Sequence, residues 1–289
     1  MQEQQYELNN IPSFNSKHIF ECGQCFRWDE ESDGSYTGIV GKNVINVKQV
    51  ENRVKFSSYG ADNLEKLVIN YFDLTRNYEE IKDKLSKIDE HLARSIEYGN
   101  GIRILNQDLW ETIISFIISA NNNIPRIKGI INRISKNYGE KIEWNGKEYY
   151  TFPTVEELSK ASVEDLRALG LGFRDVRVYN TTHKILVGQV NLEELHQEQD
   201  TQKVRNILLT LDGVGPKVAD CILLFSTLKR FDVFPIDVWV RRVMNELYIK
   251  NEDETKVSKK EIEKLAKEKY GNLEGIAQQY LFFWKRDTA

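Results

Sequence analysis

The sequence predicts an α+β, mainly α chain: an N-terminal antiparallel sheet domain packed on a helical bundle of one or two lobes. Two observations carry that expectation. Between residues 26 and 59, short β-like runs alternate with turn residues (SYTGIV, Gly41-Lys-Asn, VINVKQV, Glu51-Asn, RVKFSSY), the pattern of an antiparallel meander. From Asp62 onward, apolar residues recur three and four apart in DNLEKLVINYF, RNYEEIKDKLS and DEHLARSIEYG, and the rest of the chain reads as helices. The expected division is a sheet domain with flanking helices over 1–100 and a helical domain over 101–289.

Within the second domain, residues 108–120 (DLWETIISFIISA) are apolar on nearly every face, which predicts a helix buried inside a bundle. Thr154 with Glu157, and Ser162 with Asp165, sit at capping-box spacing and mark two helix starts. Residues 188–202 (GQVNLEELHQEQDTQ) read as a polar, acidic connector, and no repeat or low-complexity tract is present.

Composition excludes several classes. With 289 residues, 40% hydrophobic and 29% charged, most of the chain is too apolar for disorder, and no apolar run approaches the roughly 20 residues of a membrane helix. Three cysteines (Cys22, Cys25, Cys221) supply no disulfide framework, and MQEQQYELNN has neither a basic n-region nor an apolar h-region. A reduced, cytoplasmic chain is expected. Cys22 and Cys25 form a CxxC, but no second Cys or His pair stands near them, which disfavours zinc. A net charge of −4 argues at first against a nucleic-acid partner. The charge is uneven, however: residues 1–100 carry 12 basic and 17 acidic side chains, whereas 121–141 carry five and one, and 167–184 four and one.

The most informative stretch runs from Val204 to Val218: a helix, a sharp Gly-x-Gly turn at 213–215, then a helix that Pro216 opens. Glycines at 213 and 215 are expected to adopt positive φ and to leave no side chain between the turn and a ligand. A Gly-x-Gly alone is more often a plain tight turn. In the helix-hairpin-helix pattern L-x-G-V-G-x-K, though, the turn amides and following helix N-terminus can hold a DNA phosphate. Lys217 lies in the first turn of the second helix, and Asp237 follows twenty residues on, two after Pro235, at an expected N-cap. A lysine at a helix N-terminus opposes the dipole, which is expected to favour its nucleophilic neutral amine. Taken singly, these would be a surface lysine and an ordinary cap.

Together, LDGVGPKVADCILLF and VFPIDVWVRRV resemble the helix-hairpin-helix and Gly/Pro/Asp signature of base-excision DNA glycosylases, and Lys217 points to the bifunctional glycosylase/AP-lyase members. The resemblance implies that Lys217 attacks C1′ of the damaged nucleotide to give a Schiff base, and that Asp237 stabilises positive charge on the sugar. No cysteine follows Cys221, so the four-cysteine iron–sulfur loop of the endonuclease-III-like branches cannot form.

Other segments resemble the 8-oxoguanine DNA glycosylase family in particular. NNNIPRI matches the element whose first Asn and Arg read the orphaned cytosine, which implies Asn121 and Arg126. ALGLGFR matches the element giving a second cytosine-reading Arg and an aromatic wedge, which implies Arg174 and Phe173. CGQCFRW matches the segment whose Gly carbonyl accepts the N7–H that 8-oxoguanine has and guanine lacks, which implies Gly23. GIAQQYLFFW matches the helix completing the base pocket, so Phe282 and Cys221 would sandwich the flipped base and Gln278 would bond its edge. Trp239 stands where animal members place a phosphate-contacting His, leaving Arg241 or Arg242 to replace that contact. The resemblance covers about residues 9–286. It implies a two-lobed bundle and a monomer acting on double-stranded DNA containing 8-oxoguanine, located at the nucleoid or, in a eukaryote, the nucleus. No redox cofactor is implied, only a structural cation on hairpin carbonyls near Leu211 and Val214. Two alternatives stay open: a monofunctional or broader-specificity purine-lesion glycosylase, and a non-catalytic helix-hairpin-helix DNA-binding module.

The charge distribution carries its own prediction. Affinity for DNA should lean on turn amides and inserted side chains, so log affinity against log salt should be shallow; a slope equivalent to roughly 6–10 phosphate contacts would contradict it.

Overall fold

The computed structural model describes residues 3–288. Strands β1 (Glu3–Asn9), β2 (Trp28–Glu30), β3 (Tyr36–Val40), β4 (Asn43–Val50) and β5 (Arg53–Tyr59) form an antiparallel sheet in the order β1-β5-β4-β3-β2. The anticipated meander is its centre, and the two edge strands are additions. β1 alternates exposed and half-buried residues without an apolar run, and β2 has only three residues, so neither shows a readable period.

One face of the sheet buries Tyr36, Ile45, Val47, Val54 and Phe56 against α1 (Ser16–Glu21) and α2 (Leu64–Tyr71). Trp28 stacks on Phe20 with ring centroids 4.1 Å apart and donates its indole N–H to the Tyr71 hydroxyl at 2.9 Å. Helices α3 (Tyr78–Ser86) and α4 (Glu90–Tyr98) turn away from the sheet, and Leu85, Leu92 and Ile96 enter the core of the helical part.

That core is organised around α5 (Leu109–Ser119), where Glu111 and Ser119 alone escape full burial. Against it pack α6 (Ile124–Tyr138) and, beyond α7 (Val155–Leu158) and α8 (Val163–Ala168), α9 (Asp175–Leu186). Both anticipated capping boxes are present, at Thr154/Glu157 and Ser162/Asp165. The second group comprises α10 (Leu192–Gln197), α11 (Thr201–Leu208), α12 (Pro216–Phe225), α13 (Val238–Met244), α14 (Lys259–Tyr270) and α15 (Glu274–Thr288), with α15 lying along α4 and α12 meeting α5.

Two local expectations need correction. Residues 188–202 are not a plain connector: Asn191 caps α10, whose Leu195 is buried in the core. The stretch after α6 is not all helix, because β6 (Lys141–Trp144) and β7 (Lys147–Tyr150) form a hairpin. Asn145 and Gly146 both have positive φ (51° and 71°), as a type I′ turn demands, so the Asn-Gly pair was a legible hairpin signal. No helix among the described residues is long and apolar enough to cross a membrane.

A buried polar knot joins the two parts of the chain. Arg103, 2% exposed, donates to the carbonyls of Asp73 and Pro12, both at 2.7 Å. The Asp73 carboxylate receives Arg76 at 2.7 Å and the Tyr78 hydroxyl at 3.0 Å, and Lys229, from the loop after α12, reaches it at 3.5 Å. Lys229 also donates to the Ile104 carbonyl. Burial pushes its ammonium down to about 7 despite the pull of Asp73.

This knot makes stability depend on pH with a definite sign. An unfolded lysine titrates near 10.5 and the folded one near 7, so between those values the unfolded chain binds more protons and stability rises with pH. In urea midpoints measured across that window, the wild type should gain on Lys229→Met as pH rises; parallel profiles would contradict the assignment.

Candidate active site and nucleic-acid interface

The turn between α11 and α12 presents a bare surface. Gly213 has φ +83°, and a Cβ there would lie 3.0 Å from side-chain atoms of both Ile117 and Arg177, so backbone and space alike require glycine. Gly215 departs from expectation: its φ is −91°, and a Cβ would meet nothing within 4 Å. What Gly215 provides is an uncovered approach to the start of α12, whose N-cap makes no side-chain hydrogen bond. On the hairpin's other side the ends are neutralised internally: Lys184 donates to the Thr210 carbonyl and Thr181 to that of Asp212, at 2.8 and 2.9 Å.

Lys217 is the second residue of α12, half-buried, with its ammonium 5.5 Å above the Phe116 ring and Cys221 one turn further along the same face. Asp237 caps α13, where one carboxylate oxygen accepts the Val240 N–H at 2.8 Å. The other carries no hydrogen bond among the described residues. The expected neutral amine is not what this geometry holds. Burial works to lower the Lys217 pKa, but the Cys221 sulfur and the Asp237 carboxylate outweigh it, and the net direction is upward. The dipole argument considered one helix end and missed Asp237 arriving from another. Burial pushes the Cys221 thiol up to about 11, so its pull on Lys217 belongs to the alkaline range, and at neutral pH the thiol is an uncharged wall while Asp237 supplies the facing charge.

Around these groups the fold collects the other anticipated base-pocket residues. Gly23, Lys217, Cys221, Asp237, Gln278 and Phe282 all line one narrow cavity of about 40 Å³, between α12 and α15. The Gln278 carboxamide oxygen is buried without a partner, and Phe282 is only half-buried. Larger grooves of about 360 and 440 Å³ lie elsewhere; in the first, Arg205 with Asp220 and Lys267 with Glu274 already neutralise one another. Both cysteines of the CxxC are buried and donate to α1 carbonyls, Cys22 to Ile19 and Cys25 to Phe20. Sequence reasoning missed Phe116, Gln279 and Gln107, which lie in apolar or polar runs with no motif of their own.

The second cluster lies at the ends of α5 and α9. Asn122 bonds the Ile118 carbonyl and Asn123 caps α6, which leaves Asn121 exposed at φ +51° with no side-chain hydrogen bond among the described residues. Arg126 is exposed, its one contact being 3.5 Å to the Gly170 carbonyl, and Phe173 is 54% exposed. The Phe173 ring faces two guanidinium groups, Arg174 at 4.2 Å and Arg177 at 5.0 Å. Arg174 does not project as an expected base reader would. It is 1% exposed, and four hydrogen bonds hold its guanidinium on the carbonyls of Ala120, Asn121 and Leu171. Those include carbonyls that the end of α5 would otherwise leave bare, so burial is its natural state here. Arg241 is half-buried, and its Nε has no partner, whereas Arg242 pairs with Glu254 at 3.1 Å.

Comparisons with known proteins identify the family. A sequence profile described as the 8-oxoguanine DNA glycosylase N-terminal domain matches residues 8–113, and one described as HhH-GPD superfamily base excision DNA repair protein matches 114–270. An N-glycosylase/DNA lyase of Saccharomyces cerevisiae is 34% identical over 80% of this chain and 67% of its own length. A probable N-glycosylase/DNA lyase of Methanothermobacter thermautotrophicus is 32% identical over 73% and 71%. The crystal structure of the Clostridium acetobutylicum 8-oxoguanine glycosylase/lyase, in complex with duplex DNA containing cytosine opposite 8-oxoG, superposes with a TM-score of 0.92 at 40% identity, covering 100% of this chain and 98% of that one.

The buried position of Arg174 predicts a cost without DNA present. Arg174→Ala should lower unfolding free energy by about 2–4 kcal/mol, against about 0.5 kcal/mol or less for an exposed arginine such as Arg126→Ala, measured by urea denaturation.

Proposed function

The chain belongs to the 8-oxoguanine DNA glycosylase family of the HhH-GPD superfamily, and from that premise we propose that it is a bifunctional base-excision enzyme. It flips 8-oxoguanine lying opposite cytosine out of duplex DNA, cleaves the N-glycosidic bond with Lys217 and nicks the resulting abasic site by β-elimination. The observation that carries this reading is the convergence of Lys217, Asp237, Cys221, Gly23, Gln278 and Phe282 on one cavity from four separate parts of the chain.

Each group has a task its surroundings suit. The Lys217 ammonium gives up a proton, which the departing base takes up, and its amine attacks C1′ while the bond from C1′ to the base breaks, the electron pair leaving with the base. Asp237 keeps one oxygen on the α13 amide and has the other free to face positive charge on the sugar. With the base gone, the opened sugar and Lys217 form a Schiff base; loss of a C2′ proton then expels the 3′ phosphate. The unpaired Gln278 oxygen accepts from the N–H donors of the purine edge, and Phe282 and Cys221 take its two faces.

The cavity offers about 40 Å³, too little for a purine, so its lining has to open as a base enters. On the DNA itself, Asn121 and Arg126 offer donors to the orphaned cytosine, Phe173 fills the gap in the stack, and Arg174 keeps Asn121 in place from behind. The amides of Gly215, Lys217 and Val218, which donate no hydrogen bond among the described residues, take a phosphate, and Arg241 takes another. A cation on the hairpin would sit on the Val214 carbonyl, which accepts no hydrogen bond among the described residues, and on the Leu211 carbonyl, which already receives the Val214 N–H at 3.2 Å. Such a cation would strengthen the turn's attraction for phosphate.

Borohydride trapping on an 8-oxoguanine·C duplex tests this reading. The wild type should form a covalent adduct and Lys217→Gln none, while Asp237→Asn should keep duplex binding and lose about 10²–10⁴ in single-turnover excision. Trapping undiminished in Lys217→Gln would refute the nucleophile, and lesion-independent binding without base release would leave only a DNA-binding module.

A further inference from the structure

The segment following α1 is held in an unusual way. Among the backbone carbonyls of residues 21–24, three are occupied by side chains from distant parts of the chain. Arg286 donates to Glu21 at 2.8 Å, Gln279 to Cys22, and Gln107 to Gln24 at 2.7 Å. The Gly23 carbonyl alone receives no hydrogen bond among the described residues. Gln279 is 2% exposed and sits on α15 beside Gln278, and the Gln107 amide also bonds the carbonyl of Phe225 at the end of α12, at 3.0 Å. The Gln24 side chain is itself fully buried, donating to Ile19 and Arg103 and accepting from Leu105.

An unpaired carbonyl can tell an N–H from a bare ring nitrogen only while it cannot turn away. Were the Gly23–Gln24 peptide to rotate by half a turn, the Gln24 N–H would face the pocket and would welcome the N7 acceptor of ordinary guanine. Glycine at φ +86° puts up little resistance to such a rotation. The resistance comes instead from the neighbours: with the planes on either side held by Gln279 and Gln107, the whole rotation falls on ψ of Gly23 and φ of Gln24, and it would force Gln24, a non-glycine residue with a bound side chain, to positive φ.

We propose that Gln279 and Gln107 are positioning residues for lesion specificity, pinning the carbonyls on both sides of Gly23 so that its own carbonyl stays aimed at the base pocket. The inference rests on the reading of Gly23 as acceptor of the lesion's N7–H. It adds that discrimination is built from α15 and from the segment before α5, neither of which needs to touch the N7 position.

Gln279→Leu and Gln107→Leu, with Gln279→Met as a longer side chain that likewise cannot donate, separate this role from general support of the fold. Two activities are measured: single-turnover excision of 8-oxoguanine opposite cytosine, and strand cleavage at a preformed abasic site, which has no base for Gly23 to read. Excision should fall roughly tenfold or more, the equivalent of one lost buried hydrogen bond, while cleavage at the abasic site stays within about twofold. The ratio of 8-oxoguanine to guanine release should also narrow. Unchanged excision in all three variants, or equal loss of both activities in all three, would overturn the proposal. Failure of the wild type to release 8-oxoguanine would instead overturn the reading of the site, and this inference with it.

Discussion

A helix with no polar face must be surrounded, and that requirement on α5 arranges much of the molecule. Ile113, Ile114, Ile117 and Ile118 are completely buried, so α6, α9 and α12 have to close around them. Closing them fixes the site: Phe116 lies under the Lys217 ammonium, Ile117 lies against Gly213, and the end of α5 hands its carbonyls to Arg174. The other end is held just as firmly. Asp108 caps it, and the Trp110 indole N–H reaches the Pro153 carbonyl at 2.9 Å. The groups proposed to act on DNA are thus attached to one end and one side of a single buried rod whose other end is fixed.

Much of this was legible in the sequence because it depends on local rules. The meander, the helical period from Asp62, both capping boxes and the all-apolar stretch at 108–120 each announce themselves within a dozen residues. The residues of the base pocket were legible in another way, through four motifs whose resemblance to one family could be stated before any geometry. What could not be read were interactions that arise only when distant segments meet. Nothing in QQY says that Gln278 leaves its oxygen free while Gln279 is tied to Cys22, because the two differ only in the direction that consecutive helical residues point. The burial of Arg174 was illegible for a similar reason. The LGLGFR segment does not contain the carbonyls of Ala120 and Asn121 that draw its guanidinium inward.

Electrostatics shows the same division. A lysine at a helix N-terminus is an electrostatic mismatch when that helix is considered alone, yet Asp237 and Cys221 reverse the outcome for Lys217. Lys229, which carries no motif, is the lysine the fold pushes furthest toward neutrality, and it does so at the seam between the sheet domain and the loop leading to Asp237. Overall charge is the least informative quantity. At −4 it says little about a molecule whose exposed Asn121, Arg126 and Phe173 lie in two locally basic stretches, 121–141 and 167–184.

The small size of the pocket has a kinetic meaning. A preformed slot would let any extruded base settle in, and selectivity would then rest wholly on how tightly each base is held. On the proposed reading, a base has to open this narrow cavity as it enters, so entry carries a cost of its own. Under the same proposal, guanine meets an acceptor at Gly23, has little to offset that cost and returns to the stack before Lys217 acts. On that proposal the narrow resting pocket selects by residence time, keeping each visit by an undamaged base short.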